Sequence, residues 1–323
     1  MIKSYFYEQE TNRMHHDIDL QDIPDYLHSK SDLLWIDLYD VKLEELKRIA
    51  KIFNFHPLAI EDCLHDSPRA KMDDYEEYYF FVFHALRYNE ESDEEISTVE
   101  LNVFLGPNYV VTIHKKKLFG LGKIAAVSLH HPRFLEKGAD YLLYAMIDSI
   151  TDEYFPILDR INTRIDELED EMYERKNKEV TEEFLALKRT IILIRRVILP
   201  QRRIFSNSNG KWQFEMTESN VPFFIDLIDH LERIVDSTET CRDLVNSALD
   251  TYYSIVSANQ TEKLNILTMI STIMLPLTFI TGFFGMNVPL PYQDSPWMTV
   301  VIFTILGALT WMMYRFFKKK KFL

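Results

Sequence analysis

The sequence predicts an α+β domain, with a mixed sheet and flanking helices, followed by a very long helix and two C-terminal transmembrane helices. Three observations support this fold class. Short runs of aromatic and β-branched residues within the first 114 positions are typical of strands. From position 141 onward, apolar residues recur at helical spacing. Two segments without a formal charge, residues 264–284 and 297–314, can each cross a hydrocarbon core of about 30 Å.

The N-terminal part predicts alternating strands and helices. Strands are expected at residues 2–7, 33–38, 78–87, 98–105 and 109–114. Residues 41–54 have the apolar spacing of a helix, and a second helix is expected to begin near Pro57. His56 could bind a metal, but a histidine beside a helix start is more often a hydrogen-bonding or capping group. The acidic run 89–95 has the composition of a solvated loop.

The second half of the chain predicts long helices. An acidic amphipathic helix carries an apolar stripe, and a second helix is expected over residues 181–203. A third helix, without glycine or proline between Pro222 and Pro276, is expected to run unbroken over residues 223–284, about 93 Å at 1.5 Å per residue. The predicted organisation is therefore an α/β domain at 1–140, a helical hairpin at 141–221, a stalk helix at 222–262, a first span at 263–286, a loop at 287–296, a second span at 297–317 and a basic tail at 318–323.

One face of the first span carries small and hydroxyl side chains, whereas its other faces are apolar. A spacing of three and four places these residues on it: Thr261, Leu264, Thr268, Ser271, Leu275, Thr278, Gly282 and Gly285. Either a helix-packing seam or the lining of a pore would have such a face. We also expect this face to continue as a central lining through an upstream stripe: Phe224, Leu227 or Ile228, Leu231, Ile234, Thr238, Cys241, Val245, Ala248, Tyr252 and Ile255.

The charge distribution is strongly asymmetric. The chain has a net charge of −14, and residues 261–323 hold two acidic and six basic side chains, which leaves −18 on residues 1–260. This acidity argues against a nucleic-acid partner and favours cations. The basic tail marks the cytoplasmic side of a membrane, and two spans then place both termini there. No cleaved signal is visible, and two cysteines suit a reducing cytosol.

Several motifs together resemble one family. The order PLTFITGFF at 276–284, GMN at 285–287, a short loop, a second uncharged segment and a lysine tail is similar to the CorA family of divalent-cation transporters. The resemblance extends upstream to HPLAIEDCL at 56–64, PRAKMDDYEEYYFFVF at 68–83 and PFFIDLIDH at 222–230. It covers essentially the whole chain.

The resemblance implies a homopentameric funnel in the cell membrane, with the first span of each copy lining a central pore. Gly285, Met286 and Asn287 would form the outer mouth, where a ring of asparagine oxygens meets a hydrated Mg²⁺ ion. By this resemblance the pore-facing positions include Thr261 and Thr278, with a constriction at Leu264, Leu267 and Leu275 and an acidic ring at Asp250. The stripe residues Thr268, Ser271 and Gly282 complete the predicted lining.

The resemblance also implies regulation by intracellular Mg²⁺, which would be both substrate and regulatory ligand. Asp226 matches the sensing aspartate of the family, and we expect its partners in the acidic loop of the next copy, among Glu90, Glu91, Asp93 and Glu94. The loop after Asn287 departs from the family because Asp294 is its sole acid. Ion capture is therefore expected either to be weaker here or to depend on Asn287 alone.

The sequence gives no indication of an enzyme, because nucleotide-binding, zinc-hydrolase and nucleophile motifs are missing. We expect uptake of Mg²⁺, with Co²⁺ and Ni²⁺ as further candidates, driven by the membrane potential. Two alternatives remain open. The chain could be a proton-coupled Zn²⁺ transporter of the same superfamily, or a membrane-anchored acidic coiled-coil scaffold whose helical hairpin is only an anchor.

Overall fold

The structure is a computed structural model that describes residues 1–29, 31–88, 96–174, 178–206, 212–286 and 296–319. The chain divides into two compact units, Met1–Ser247 and Ala248–Leu323. Most of the secondary structure lies in the first unit, whereas the second contains the end of one long helix and a further helix.

Seven strands form a mixed sheet in the first unit, which confirms the predicted mixed sheet and adds two strands to the five expected. They are β1 Ile2–Glu8, β2 Arg13–His16, β3 Leu33–Tyr39, β4 Lys71–Asp74, β5 Tyr79–Tyr88, β6 Ile96–Leu105 and β7 Tyr109–His114, in the order β2-β1-β3-β7-β6-β5-β4. Strands β3 and β7 are parallel, with Trp35 opposite Val110, and all other neighbours are antiparallel. Strands β2 and β4 were not predicted, because these four-residue strands at the two sheet edges carry mostly polar residues.

Nine α-helices lie within the described residues. They are α1 Ile23–Tyr26, α2 Leu43–Phe53, α3 Pro57–Leu64, α4 Phe119–His130, α5 Ala139–Asp152, α6 Tyr154–Glu174, α7 Lys178–Phe205, α8 Val221–Phe284 and α9 Pro296–Lys319. Helix α8 is unbroken over 64 residues, which confirms the predicted long helix. Helix α4 was not predicted, because its glycines and its weak apolar periodicity give no clear amphipathic pattern.

Aromatic residues of β5 pack on both faces of the sheet, which explains why this strand reads as a continuous apolar run. Phe80 faces the core that α2 and α3 cover, and its ring centroid lies 4.7 Å from that of Phe104. Phe83 lies on the opposite face, where its ring stacks on Phe205 of α7 at 5.7 Å. Phe205 in turn stacks on Phe224 of α8 at 5.9 Å. Helices therefore flank the sheet on both sides.

One expectation about α8 is wrong. The upstream stripe from Phe224 to Ala248 does not face outward as a continuation of the span's polar face, because its side chains are buried in the chain itself. Cys241, for example, is fully buried and its Sγ lies 3.0 Å from Asn162 Oδ1 on α6. These apolar residues pack against neighbouring helices of the same chain, which removes their surface from water.

Candidate functional site

Two helices of the second unit expose a large apolar surface. Among the described residues, α8 and α9 are the helices long and apolar enough to cross a membrane, and the apolar stretch of α8 is not buried by the rest of the chain. Leu275, Phe279 and Phe303 are each more than 70% exposed. Surfaces of this kind mark contact with a membrane or with other protein chains.

The predicted lining residues all lie on the single helix α8, and all are exposed in the isolated chain. They are Asp250, Thr261, Leu264, Leu267, Thr268, Ser271, Leu275, Thr278 and Gly282. The three leucines proposed as a constriction are 61%, 60% and 71% exposed, in chain order. The polar face is therefore free to meet other copies of the chain or an aqueous path.

Threonine hydroxyls on this face are bonded to their own helix. Thr261 Oγ1 donates to the carbonyl oxygen of Ser257 at 2.9 Å, Thr268 Oγ1 to that of Leu264 at 2.7 Å, and Thr278 Oγ1 to that of Met274 at 2.8 Å. This back-bonding satisfies the hydroxyl donor inside the helix. The oxygen lone pairs remain available as acceptors.

Helix α8 ends at Phe284, directly before the predicted mouth. The backbone N–H of Gly285 donates to the carbonyl oxygen of Thr281 at 2.9 Å. A Cβ at position 285 would lie 3.0 Å from that same oxygen, so a glycine suits this position. Met286 follows and is 51% exposed. Asn287, the main residue of the predicted mouth, lies outside the described residues.

An exposed acidic stripe precedes the span on α8. Asp229, Asp236, Asp243 and Asp250 are all exposed and repeat every seven residues. The same heptad spacing continues through Ser257, Leu264, Ser271, Thr278 and Gly285. On this part of α8 the aspartates are exposed and the apolar stripe is buried, so the two lie on different faces of the helix.

A second candidate site surrounds Asp226 near the start of α8. His230 lies one turn after Asp226, with Nε2 3.7 Å from Asp226 Oδ2. The other ring nitrogen, Nδ1, lies 3.0 Å from Asp148 Oδ1 on α5. Asp152 follows Asp148 by one turn, and one ligand atom each from Asp148, Asp152 and His230 lie within 4.8 Å of one another. We call these four residues the carboxylate–histidine cluster.

The carboxylate–histidine cluster carries uncompensated negative charge. Burial and the charges of Asp152 and Asp226 raise the pKa of Asp148. The hydrogen bond to His230 and the charge of His230 lower this pKa, but they offset the rise only in part. Burial and the nearby Asp148 also raise the pKa of Tyr144, whose hydroxyl donates to Asp148 Oδ2 at 3.4 Å. Within the described residues, no lysine or arginine pairs with the cluster. A divalent cation would neutralise this charge.

The donor set of the cluster fits a hydrated divalent ion. Carboxylate oxygens are preferred ligands of Mg²⁺, which keeps several of its waters, and an imidazole nitrogen also suits Co²⁺ and Ni²⁺. Of the four cluster residues, only Asp226 could be identified from the sequence. Asp148 and His230 are 82 positions apart and meet only when α5 packs on α8. The predicted partners Glu90, Glu91, Asp93 and Glu94 lie outside the described residues.

His56 is a structural residue, as the sequence predicts. It occupies the position before α3, and its Nδ1 accepts a hydrogen bond from the backbone N–H of Leu58 at 3.2 Å. Its backbone N–H donates to the Tyr78 hydroxyl at 2.7 Å. These bonds cap the helix, which is the capping role expected for His56.

Comparison with known proteins identifies the family. Residues 30–319 match the family described as CorA-like Mg²⁺ transporter protein. The chain is 34% identical over 296 residues to the cobalt/magnesium transport protein CorA of Thermotoga maritima, covering 90% of this chain and 83% of that protein. It is 32% identical to the putative metal ion transporter YfjQ of Bacillus subtilis, covering 87% and 88%.

A solved structure gives the same fold. The CorA magnesium transporter from Methanocaldococcus jannaschii superposes with a TM-score of 0.85 at 24% identity, covering 100% of this chain and 99% of that one. The mixed sheet, the long helix and the two C-terminal apolar helices are thus those of a known transporter fold. On these matches, the chain belongs to the CorA-like Mg²⁺ transporter family.

Proposed function

We propose that the chain forms a homopentameric channel for hydrated Mg²⁺, with Co²⁺ and Ni²⁺ as further substrates. The family consists of transporters and not enzymes. The observation that supports a channel is the single helix α8, which exposes aspartates in its first part and hydroxyls, leucines and glycine in its second. Five such helices around one axis would form a path with a neutral, narrow span and an acidic exit.

Ion selection is proposed to occur at the mouth formed by Gly285, Met286 and Asn287. Mg²⁺ loses its water reluctantly, so a ring of neutral amide oxygens can hydrogen-bond the hydration shell without removing it. Carboxylates at this position would bind the ion more strongly and slow its release. The close approach of Gly285 to Thr281 supports a defined end of α8 directly before Asn287.

The resistance to flow is proposed to lie at Leu264, Leu267 and Leu275. Rings of leucine can exclude water from a narrow pore and so close it without a charged plug. Thr278 would give the hydrated ion a polar contact between the mouth and this constriction, and Asp250 would attract it on the other side. All five side chains are exposed on α8, which this role requires.

Closure is proposed to depend on intracellular Mg²⁺ at the carboxylate–histidine cluster. There the ion would bridge Asp226 and its neighbours to the acidic loop of the next copy, which contains Glu90, Glu91, Asp93 and Glu94. Loss of the ion would leave like charges facing one another and loosen the ring of subunits. The geometry of the cluster supports this role, because Asp148, Asp152 and His230 each bring a ligand atom within 4.8 Å of the others.

The membrane potential is proposed to drive uptake. A divalent ion that enters an inside-negative cell gains about 4.6 kcal/mol per 100 mV, twice the value for a single charge. The lysine tail favours a cytoplasmic C-terminus, and two spans then place the acidic unit on the same side of the cell membrane. The acidic stripe would therefore face the compartment that receives the ion.

Flux into proteoliposomes tests this function. We expect the full-length protein to admit Mg²⁺ in proportion to an imposed inside-negative potential, and Asn287→Ala to reduce this flux at least tenfold. Asn259→Ala, an asparagine on α8 outside the mouth, is the matched control and should retain flux. Flux that follows a pH gradient instead of voltage would favour a proton-coupled Zn²⁺ carrier. No flux in the parent protein would favour the scaffold.

A further inference from the structure

A basic groove lies between α7 and the edge strand β4, in a unit that is otherwise strongly acidic. The groove encloses about 810 Å³. Its lining contains five cationic side chains and no carboxylate: Arg69, Lys71, Arg195, Arg196 and Arg203. Because residues 1–260 carry −18, such a concentration of positive charge requires a separate explanation.

Two of these cations are already neutralised. Lys71 Nζ lies 2.7 Å from Asp62 Oδ2 and 2.8 Å from Asp73 Oδ2. Arg195 Nη1 lies 2.8 Å from Glu239 Oε1.

The other three cations are available to a ligand. The guanidinium groups of Arg69, Arg196 and Arg203 form no ion pair with any carboxylate of the described part of the chain, and all three residues are exposed. They project from both walls of the groove, since Arg69 precedes β4 and the other two belong to α7. The groove therefore offers three free positive charges to an anion.

Both walls of the groove are bonded to His84 on the neighbouring strand β5. The His84 ring contacts the carbonyl oxygen of Ser67 at 2.8 Å, which fixes the segment that carries Arg69. The His84 carbonyl oxygen accepts a hydrogen bond from Gln201 Nε2 of α7 at 2.7 Å. On the α7 side, the carbonyl oxygen of Arg203 accepts from Gln213 Nε2 at 2.9 Å. The backbones that bear the three free arginines are thus positioned before any ligand arrives.

The rest of the groove lining is mostly apolar. It is formed by Met72 of β4 and by residues of α7 that recur at helical spacing: Ile192, Leu199, Pro200 and Ile204. Ile192 is 52% exposed although it is a large hydrophobic residue. A lining that combines apolar residues with arginines suits a ligand that has a flat, weakly polar part and several negative charges.

We propose that this groove binds a nucleoside polyphosphate. Guanidinium groups match phosphate oxygens in paired hydrogen bonds and also stack on planar rings. The volume lies within the range of small-molecule sites, about 300 to 1,000 Å³. The segment PRAK at 68–71, which the transport path does not use, supplies one wall of this site.

Equilibrium binding of ATP to the full-length protein in detergent, at a fixed free Mg²⁺ concentration, tests the proposal. We expect one saturable class of site, with tripolyphosphate competing and adenosine competing poorly. Arg196→Gln and Arg203→Gln should each weaken ATP binding about 10- to 100-fold, the size expected for a lost charge-assisted contact. Arg48→Gln, an exposed arginine on α2, is the matched control and should bind ATP as the parent does.

Four results would overturn the proposal. They are no saturable ATP binding, equal weakening by Arg48→Gln and Arg196→Gln, failure of tripolyphosphate to compete, and a changed oligomer size in Arg196→Gln with unchanged ATP affinity. The last result would show that this face is an interface between copies of the chain. Thermal midpoints of the variants without ATP, equal to that of the parent, establish that the arginine substitutions leave the fold intact.

Discussion

Replacing Asp148 by asparagine tests whether the carboxylate–histidine cluster holds a cation, because its effect on stability should depend on Mg²⁺. Without Mg²⁺, ligand atoms of Asp148 and Asp152 lie within 4.8 Å of each other, which at an effective dielectric constant of 20 corresponds to about 3.5 kcal/mol of repulsion. Both carboxylates contact water, and screening reduces this to about 1 kcal/mol or less. Since the asparagine oxygen can still contact His230, Asp148→Asn should unfold at the parental temperature or slightly above it.

With Mg²⁺ the order should reverse. An ion at about 100 times its Kd stabilises the folded protein by about 2.7 kcal/mol. If Asp148→Asn weakens binding about tenfold, the same Mg²⁺ concentration contributes only about 1.4 kcal/mol. The difference of about 1.3 kcal/mol corresponds to about 3 to 5 °C in the unfolding midpoint for a unit of this size.

Thermal unfolding of the full-length protein in detergent, followed by circular dichroism with and without Mg²⁺, measures both effects. Asp166→Asn is the matched control, because Asp166 is an exposed aspartate on α6 that forms no ion pair within the described residues. Equal Mg²⁺-dependent shifts in the parent and both variants would refute a cation at the cluster. A lower midpoint for Asp148→Asn that is the same with and without Mg²⁺ would instead assign Asp148 a purely structural role.

Two further predictions concern His114 and Gly285. Burial lowers the pKa of His114, but the hydrogen bond to Asp37 at 3.1 Å and the charge of Asp37 outweigh it and raise the pKa above 6.5. The protonated form thus stabilises the fold below pH 6.5, and this contribution is lost as pH rises, by at most about 1.4 kcal/mol per pH unit. The urea midpoint of His114→Gln should therefore decline less steeply between pH 6 and 9 than that of the parent. Equal slopes of midpoint against pH in the two proteins would contradict this assignment. At the end of α8, Gly285→Ala places a Cβ 3.0 Å from the carbonyl oxygen of Thr281, and strain of about 1 kcal/mol should lower Mg²⁺ flux about fivefold. Gly307→Ala, where a Cβ meets nothing within 4 Å, should retain flux, and equal flux in both variants would contradict a requirement for glycine at 285.

Local patterns in the sequence were sufficient for most of the fold. The five predicted strands and the long helices rest on periodicity within one element. On α6, for example, the residues that recur every three or four positions are all buried: Leu158, Ile161, Ile165, Leu168 and Met172. Strands β2 and β4 were missed because an edge strand needs no apolar face of its own. Their position depends on pairing with β1 and β5, which no local pattern records.

The candidate sites depended on information of longer range. Asp226 could be found from the resemblance of PFFIDLIDH, whereas Asp148 joins it only through the packing of α5 on α8. The error in the upstream stripe has a related cause. When apolar residues recur every three or four positions, either Leu227 or Ile228 can be assigned to the stripe. This choice of one residue is enough to move the assigned stripe from one face of the helix to the next. Burial in the structure separates the two faces.

The bonding of the threonine hydroxyls on α8 has a consequence for the kind of solute that such a face admits. Because Thr261, Thr268 and Thr278 donate their protons to carbonyl oxygens of their own helix, these three side chains offer electron pairs and no donors to a neighbouring solute. Water around a cation points both hydrogens outward and can bond to such oxygens, whereas water around an anion directs one hydrogen at the ion and has only the other to offer. None of these groups titrates near neutrality, so discrimination between positive and negative ions along this stretch would be the same in acidic and alkaline media.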